Sequence, residues 1–155
     1  LASADDITKL AEDAFDYFLK KRHEIELFPG VEGALKTLSE NYMLGVLTNG
    51  NADIHKLSIG KYFEFSISSL EAQDSKPNKS HFELAKSYLP NLKYSEMLHI
   101  GDHQITDIFG AHTLGIEVLW FNNAGALWEQ EFDKPDQFYD WQSLAKIIEE
   151  KYESR

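Results

Sequence analysis

The chain has 155 residues, enough to bury one proper core, and its 43% apolar and 26% charged residues are ordinary for a single globular domain. It has no cysteine, which excludes a disulfide framework, a thiol nucleophile and a cysteine-based zinc site; this agrees with a reducing cytoplasm, the expected location. A formal charge of −11 argues against nucleic acid, whose phosphate backbone demands basic surface, and no apolar run reaches membrane-spanning length, so neither nucleic acid nor membrane is an expected partner. The same charge repels anionic ligands at long range, so an anion site here needs local compensation.

Ile7, Leu10, Ala11, Ala14, Phe15, Phe18 and Leu19 recur at helical spacing and predict a helix over 4–22. Ser3 or Asp5 is its N-cap, acids fill the first turn, and Lys20, Lys21 and Arg22 suit its negative end. Leu27-Phe28-Pro29-Gly30 reads as a hinge-like break into a second helix with Val31, Ala34, Leu35 and Leu38 on one face. A strand over 43–48, a short helix near 52–57 and a short strand reached through 62–68 follow. Ser80 is then expected to cap a helix carrying Phe82, Leu84, Ala85 and Tyr88, ended by Leu89-Pro90-Asn91.

The remaining elements are a strand over 97–101, a helix over 105–114 stopped at Leu114-Gly115, and a strand over 117–121. A long polar connection, 122–136, carries Trp128 and Phe132 and leads to an edge strand at 137–139. Trp141, Leu144, Ile147 and Ile148 mark a last helix. No internal repeat or low-complexity segment interrupts this order. The aromatic residues are mostly core candidates. The six histidines show no metal-site spacing and, His103 apart, read as structural or exposed. Alternating helix and strand predict a parallel α/β sheet with helices on both faces.

Three loops after strands carry the chemistry. Leu98-His99-Ile100-Gly101-Asp102 is an apolar run ending in Gly-Asp, and Asp107 follows about one and a half helical turns on. In open parallel sheets ligands sit beyond the carboxyl ends of strands, and two carboxylates there suit Mg²⁺ with phosphate oxygens and water. Thr48-Asn49-Gly50-Asn51 ends the earlier strand. Gly50 lets the backbone approach a ligand, and Thr48, Asn49 and nearby N–H groups can hold phosphate oxygens. In Asp74-Ser75-Lys76-Pro77, the proline pushes Lys76 towards extended geometry, from which its ammonium reaches an anion. Taken singly these are a turn, a solvated lysine and a helix cap; the set points to a phosphate site.

In this order and spacing the segments resemble motifs II, III and IV of the haloacid dehalogenase (HAD) superfamily of hydrolases. Thr48 matches the motif II hydroxyl, Lys76 the motif III lysine, and Asp102 with Asp107 the motif IV acids. The Thr48–Asn51 turn, Tyr62-Phe63-Glu64-Phe65, and Gly101-Asp102 with Thr106-Asp107 resemble a bacterial subgroup acting on flavin mononucleotide and the ribityl-pyrimidine phosphate of riboflavin synthesis. His103 departs from it, since related sequences often have Asp there, and an imidazole changes the charge around the metal.

The resemblance implies a three-layer α/β/α Rossmannoid fold, with residues 1–26 the C-terminal part of a helical cap and 27–155 the core. It implies a Mg²⁺-dependent phosphatase for small phosphomonoesters, working through an aspartyl-phosphate. Thr48, Asn49 and Lys76 are the implied catalytic residues, with Gly50 also on the phosphate and Asp102 and Asp107 on the metal. The family nucleophile, the first Asp of Asp-x-Asp-x-Thr after the first strand, has no counterpart here. Asp5-Asp6-Ile7-Thr8 follows no apolar run, and the chain starts with Leu. An N-terminal segment bearing the first, central strand is therefore expected to be absent, and to be supplied by a cleaved segment or a partner chain unless the sheet closes up. The chain alone is expected to be inactive. The alternatives are an inactive fragment or binding module on this scaffold, or a dehalogenase. A response-regulator receiver domain is disfavoured, because the paired acids follow Lys76.

Overall fold

The computed structural model describes residues 3–50 and 52–152. Helix α1 spans Ala4–Arg22. Of the two caps the sequence allowed, Ser3 is the one used. Its hydroxyl accepts the Asp6 N–H while the Asp6 carboxylate accepts from Ser3, a reciprocal capping box. Helix α2 (Val31–Ser39) starts where Gly30 takes φ 87°, a left-handed conformation that favours glycine. Then come β1 (Gly45–Thr48), a 3₁₀ turn at Ile54–Lys56 capped by Asp53, and β2 (Phe65–Ser68). Strand β1 is shorter than the sequence suggested: its register starts at Gly45 opposite Phe65, with the Leu44 carbonyl accepting the Glu64 N–H just before it.

A single helical turn, α3 (Ser69–Ala72), leads to α4 (Ser80–Tyr88). Ser80 is the first residue of α4 rather than its cap; its hydroxyl donates to the Asp74 carboxylate instead. Strand β3 (Leu98–Gly101) is followed by a wide helical segment at Gln104–Phe109, a further turn, α5 (Gly110–His112), and β4 (Glu117–Phe121). Gly115 closes this turn at φ 74°, the expected stop. The two-residue β5 (Gln137–Phe138) and helix α6 (Leu144–Tyr152) complete the order.

All pairings between strands are parallel, as alternating helices and strands require. Ala34 and Leu38 of α2 with Leu144 and Ile148 of α6 pack on Leu119, Phe121 and Phe138. On the opposite face Phe82 of α4, Ile108 and Ala111 meet Val118 and Trp120. The result is three layers, with fully buried Trp120, Phe82, Phe138 and Leu144 at the centres of both interfaces.

The sheet is in two pieces, β1–β2 and β3–β4–β5. Among the described residues no strand is hydrogen-bonded between β1 and β3, where the first strand was expected to be absent. Strand β4 is buried from Val118 to Phe121, yet β1 and β3 have no fully buried residue. Strands that are apolar on both faces and only half-buried retain unpaired edges and uncovered side chains.

Candidate active site

The carboxyl ends of β1 and β3 border one pocket of about 440 Å³, lined by Thr48, Asn49, Gly50, Lys76, Asp102, His103, Thr106 and Asp107 among others. Every residue that the sequence nominated is therefore at one place. Asn51, in the same turn, lies outside the described residues.

Lys76 and Asp107 form the centre. Lys76 Nζ donates to Asp107 Oδ1 at 2.6 Å and to the Leu47 carbonyl at 2.7 Å, with both side chains more than nine-tenths buried. The other Asp107 oxygen accepts the His103 N–H at 3.1 Å. Burial pushes the Asp107 carboxyl up, but the His99 ring, the Lys76 ammonium and the His103 N–H outweigh it and hold the acid far below the usual carboxylate range. Two glycines permit this geometry. A Cβ on Gly101 would overlap the Asp107 side chain, and one on Gly110 would stand 3.0 Å from Pro77 Cα. The helix after β3 thus lies directly against the Lys76-Pro77 loop, whose connecting peptide is cis.

Asn49 serves Lys76 from the other side. Its Oδ1 accepts the Lys76 N–H at 2.7 Å and its Nδ2 donates to the Lys76 carbonyl at 2.9 Å, so one amide fixes the lysine's backbone. Asp74 stiffens the same loop by accepting from Ser75, Asn78 and Ser80. The Thr48 hydroxyl oxygen accepts the Gly50 N–H at 2.9 Å, leaving its proton for a ligand. Behind it, fully buried His81 donates from Nε2 to the Thr48 carbonyl at 3.1 Å, and its Nδ1 has no hydrogen-bond partner among the described residues.

Asp102 differs from Asp107. It is exposed, and its carboxylate has no hydrogen bond or ion pair with any described residue. Its backbone is fixed, because Trp120 Nε1 donates to the Asp102 carbonyl at 2.9 Å. The His103 ring is held by its own helix: its Nδ1 accepts the Ile105 and Thr106 N–H groups and caps the wide helical segment. No group of three or more potential metal-ligating side chains occurs among the described residues. The Asp102 carboxylate is free of protein partners among the described residues, whereas both Asp107 oxygens are engaged by protein.

Three supporting residues escape a reading by sequence spacing. His99 Nε2 lies 3.8 Å from Asp107 Oδ1, and burial lowers the ring's proton affinity below its ordinary value despite the neighbouring acid. His81 and Trp120 were legible only as core. Their partners lie 33 and 18 residues away, and no local pattern announces such a contact.

The haloacid dehalogenase-like hydrolase family model matches residues 2–121. The chain belongs to this family. The 5-amino-6-(5-phospho-D-ribitylamino)uracil phosphatase YigB of Escherichia coli (strain K12) is 34% identical over 118 residues, covering 76% of this chain and 49% of that protein. The crystal structure of a 2-haloacid dehalogenase from Pseudomonas syringae pv. Tomato DC3000 superposes with a TM-score of 0.87 at 30% identity, over 96% of this chain and 64% of that one. The HAD-hydrolase YfnB from Bacillus subtilis, in a structure bound to magnesium, superposes with a TM-score of 0.70 at 22% identity, over 79% of this chain and 56% of that one. This HAD-like chain spans about half the length of the curated relative it matches. No helix among its described residues is long and apolar enough to cross a membrane.

Proposed function

We propose that this chain supplies most of the core of a Mg²⁺-dependent phosphatase acting on small phosphomonoesters. One observation carries the reading: a buried, charged Lys76–Asp107 pair sits beside a free Asp102 carboxylate and a free Thr48 O–H at the ends of two parallel strands. The Thr48 O–H donates to a phosphoryl oxygen, and the Lys76 ammonium, held by Asp107 and the Leu47 carbonyl, places positive charge where negative charge develops. Asn49 acts through Lys76 by fixing its backbone. Gly50 brings backbone close to the anion.

Asp102 would hold the metal directly, and Asp107 would hold it through water or orient Asp102 and Lys76. When bound, Mg²⁺ neutralises phosphate charge and orients the ester. A free carboxylate after Gly101 favours this reading over metal-free dehalogenation, although both activities occur among the relatives. The best substrate proposal is the ribityl-pyrimidine phosphate of riboflavin synthesis, supported by the likeness to YigB, with flavin mononucleotide the alternative that the motif resemblance suggests. The cytoplasm is the proposed location.

No described residue is placed to attack phosphorus. Asp107 is committed to Lys76, Asp102 to the metal, and Asp5 lies exposed in the first turn of α1. The Thr48 hydroxyl has no base hydrogen-bonded to it among the described residues. We propose that the nucleophile arrives on a strand filling the space between β1 and β3, from a cleaved segment or a partner chain, and that the chain alone does not turn over. Phosphate release from a panel of esters tests this. Background rates are expected for residues 1–155, and Mg²⁺-dependent release once a segment carrying Asp-x-Asp-x-Thr is restored. Metal-free halide release from a haloacid by the restored protein would overturn the reading.

A further inference from the structure

The loop that follows β1 is gripped by two elements. Asn49 ties it to the Lys76 backbone. The end of α1 ties it again, through His23. The His23 Nδ1 donates to the Leu19 carbonyl at 2.6 Å, which leaves Nε2 to accept the Asp53 N–H at 3.1 Å. This latch sets the last turn of α1 against the phosphate-site loop. Arg22 stands beside the latch. A Cβ on Gly50 would lie 3.2 Å from Thr48 Oγ1 and 3.8 Å from Arg22 Nη2. The Thr48 hydroxyl and the Arg22 guanidinium therefore border one small space next to Gly50, kept open because glycine has no side chain.

The sequence assigns Arg22 to the negative end of its helix, but the structure leaves it little to do there. The Lys20 and Lys21 carbonyls accept the His23 and Glu24 N–H groups, so backbone closes the last turn. Neighbouring Lys21 is committed to Glu24 at 2.5 Å, whereas no ion pair among the described residues involves Arg22. The side chain is half-buried, and the guanidinium lies over the Phe18 ring, 5.4 Å from its centroid. That contact orients the group without neutralising it. A chain of net charge −11 thus holds an unpaired, oriented cation beside a free Thr48 O–H.

We propose that Arg22 is a substrate-binding residue, its guanidinium donating to oxygens of the same phosphoryl group that the Thr48 O–H contacts. The proposal rests on the reading of this pocket as a phosphate site. A planar guanidinium matches two phosphoryl oxygens at once, which an ammonium such as that of Lys76 does not. Together the two cations supply the local compensation that a doubly charged ester needs against the long-range repulsion of the chain. Because α1 carries the guanidinium and β1 the hydroxyl, the bound anion bridges two elements that His23 already holds together.

Inorganic phosphate is the probe. Residues 1–155 are titrated with it at neutral pH to about 100 mM, at ionic strength held constant with sodium chloride, and followed by amide NMR. Shifts are expected at Thr48 and Gly50. Arg22→Gln should raise the dissociation constant about fivefold or more, Arg22→Lys should recover part of the loss, and Lys20→Gln, which removes the same charge at an exposed position, should stay within about twofold. A chemical readout stands apart from affinity. The chain has two arginines, Arg22 and Arg155, so phenylglyoxal labelling read by mass spectrometry carries its own reference. Phosphate should slow labelling of Arg22 about threefold or more and leave Arg155 unchanged. Shifts indifferent to Arg22→Gln, an equal loss in Lys20→Gln, or Arg22 labelling unprotected by phosphate would overturn the proposal and leave the phosphate site standing. No shift at Thr48 or Gly50 in the unsubstituted chain would overturn both.

Discussion

Breaking the Lys76–Asp107 pair is the most informative perturbation of the fold at the site. Both side chains are more than nine-tenths buried, and the ion pair spans 2.6 Å. In Lys76→Met the Asp107 carboxylate keeps the His103 N–H and the nearby His99 ring but loses the Lys76 ammonium. In Asp107→Leu the ammonium keeps only the Leu47 carbonyl among its present partners. Removing one member of a buried pair typically costs about 3–5 kcal/mol, because the survivor remains desolvated. Lys76→Met should fall near the lower figure and Asp107→Leu near the upper. Replacing both removes the stranded charge, so the double variant should cost clearly less than the sum, with a coupling of about 2 kcal/mol or more. Urea titration of the four proteins reads this directly as shifts in midpoint at constant slope. Additive costs, or singles below about 1 kcal/mol, would show that the pair is solvated and that the site is not preorganised as described.

Other consequences are equally open to measurement. Burial holds the His81 imidazole below its ordinary value of 6.5, so below that pH the unfolded chain takes up a proton that the folded chain does not. Its contribution is therefore complete above pH 6.5 and stability falls on acidification, by up to about 1.4 kcal/mol per pH unit, with a flatter profile expected in His81→Gln by denaturant midpoints at pH 5.5 and 7.5. Gly101→Ala should displace Asp107 and cost about 1–3 kcal/mol by the same titration, since the added methyl meets the acid's side chain. Gln104 donates to the Leu127 carbonyl and accepts the Glu129 N–H, so Gln104→Ala should speed amide exchange at Glu129 while leaving β4 protected.

Much of the architecture was readable because the local signals agree with one another. The bounds of α1 follow from a capping box at Ser3 and a basic last turn, and the Gly115 stop from a glycine placed where a left-handed residue is needed. The meeting of Thr48, Asp102 and Asp107 was readable because two apolar runs end in polar turns and parallel strands bring such ends together, whereas Lys76 lies eight residues beyond β2, past α3, and was placed by the family resemblance. Tertiary detail was not readable. Asn49 looked like a phosphate ligand, but its side chain clamps a backbone 27 residues away. The 104–109 segment has ordinary helical spacing, yet its turn is widened with His103 capping it, as Asp107 packs against β3 and Lys76. Ser80 looked like a cap because it precedes an apolar pattern, and Asp74 took its hydroxyl instead.

In the proposed function Asp102 is the free metal-binding carboxylate of an incomplete phosphate site. Calorimetric titration of Mg²⁺ into residues 1–155, with Asp102→Asn as the control, tests it most directly. Dissociation no tighter than roughly millimolar is expected, since one free carboxylate and one acting through water give a weak site, and the heat should vanish in Asp102→Asn. Micromolar binding, binding that survives Asp102→Asn, or no heat at tens of millimolar Mg²⁺ would contradict the account.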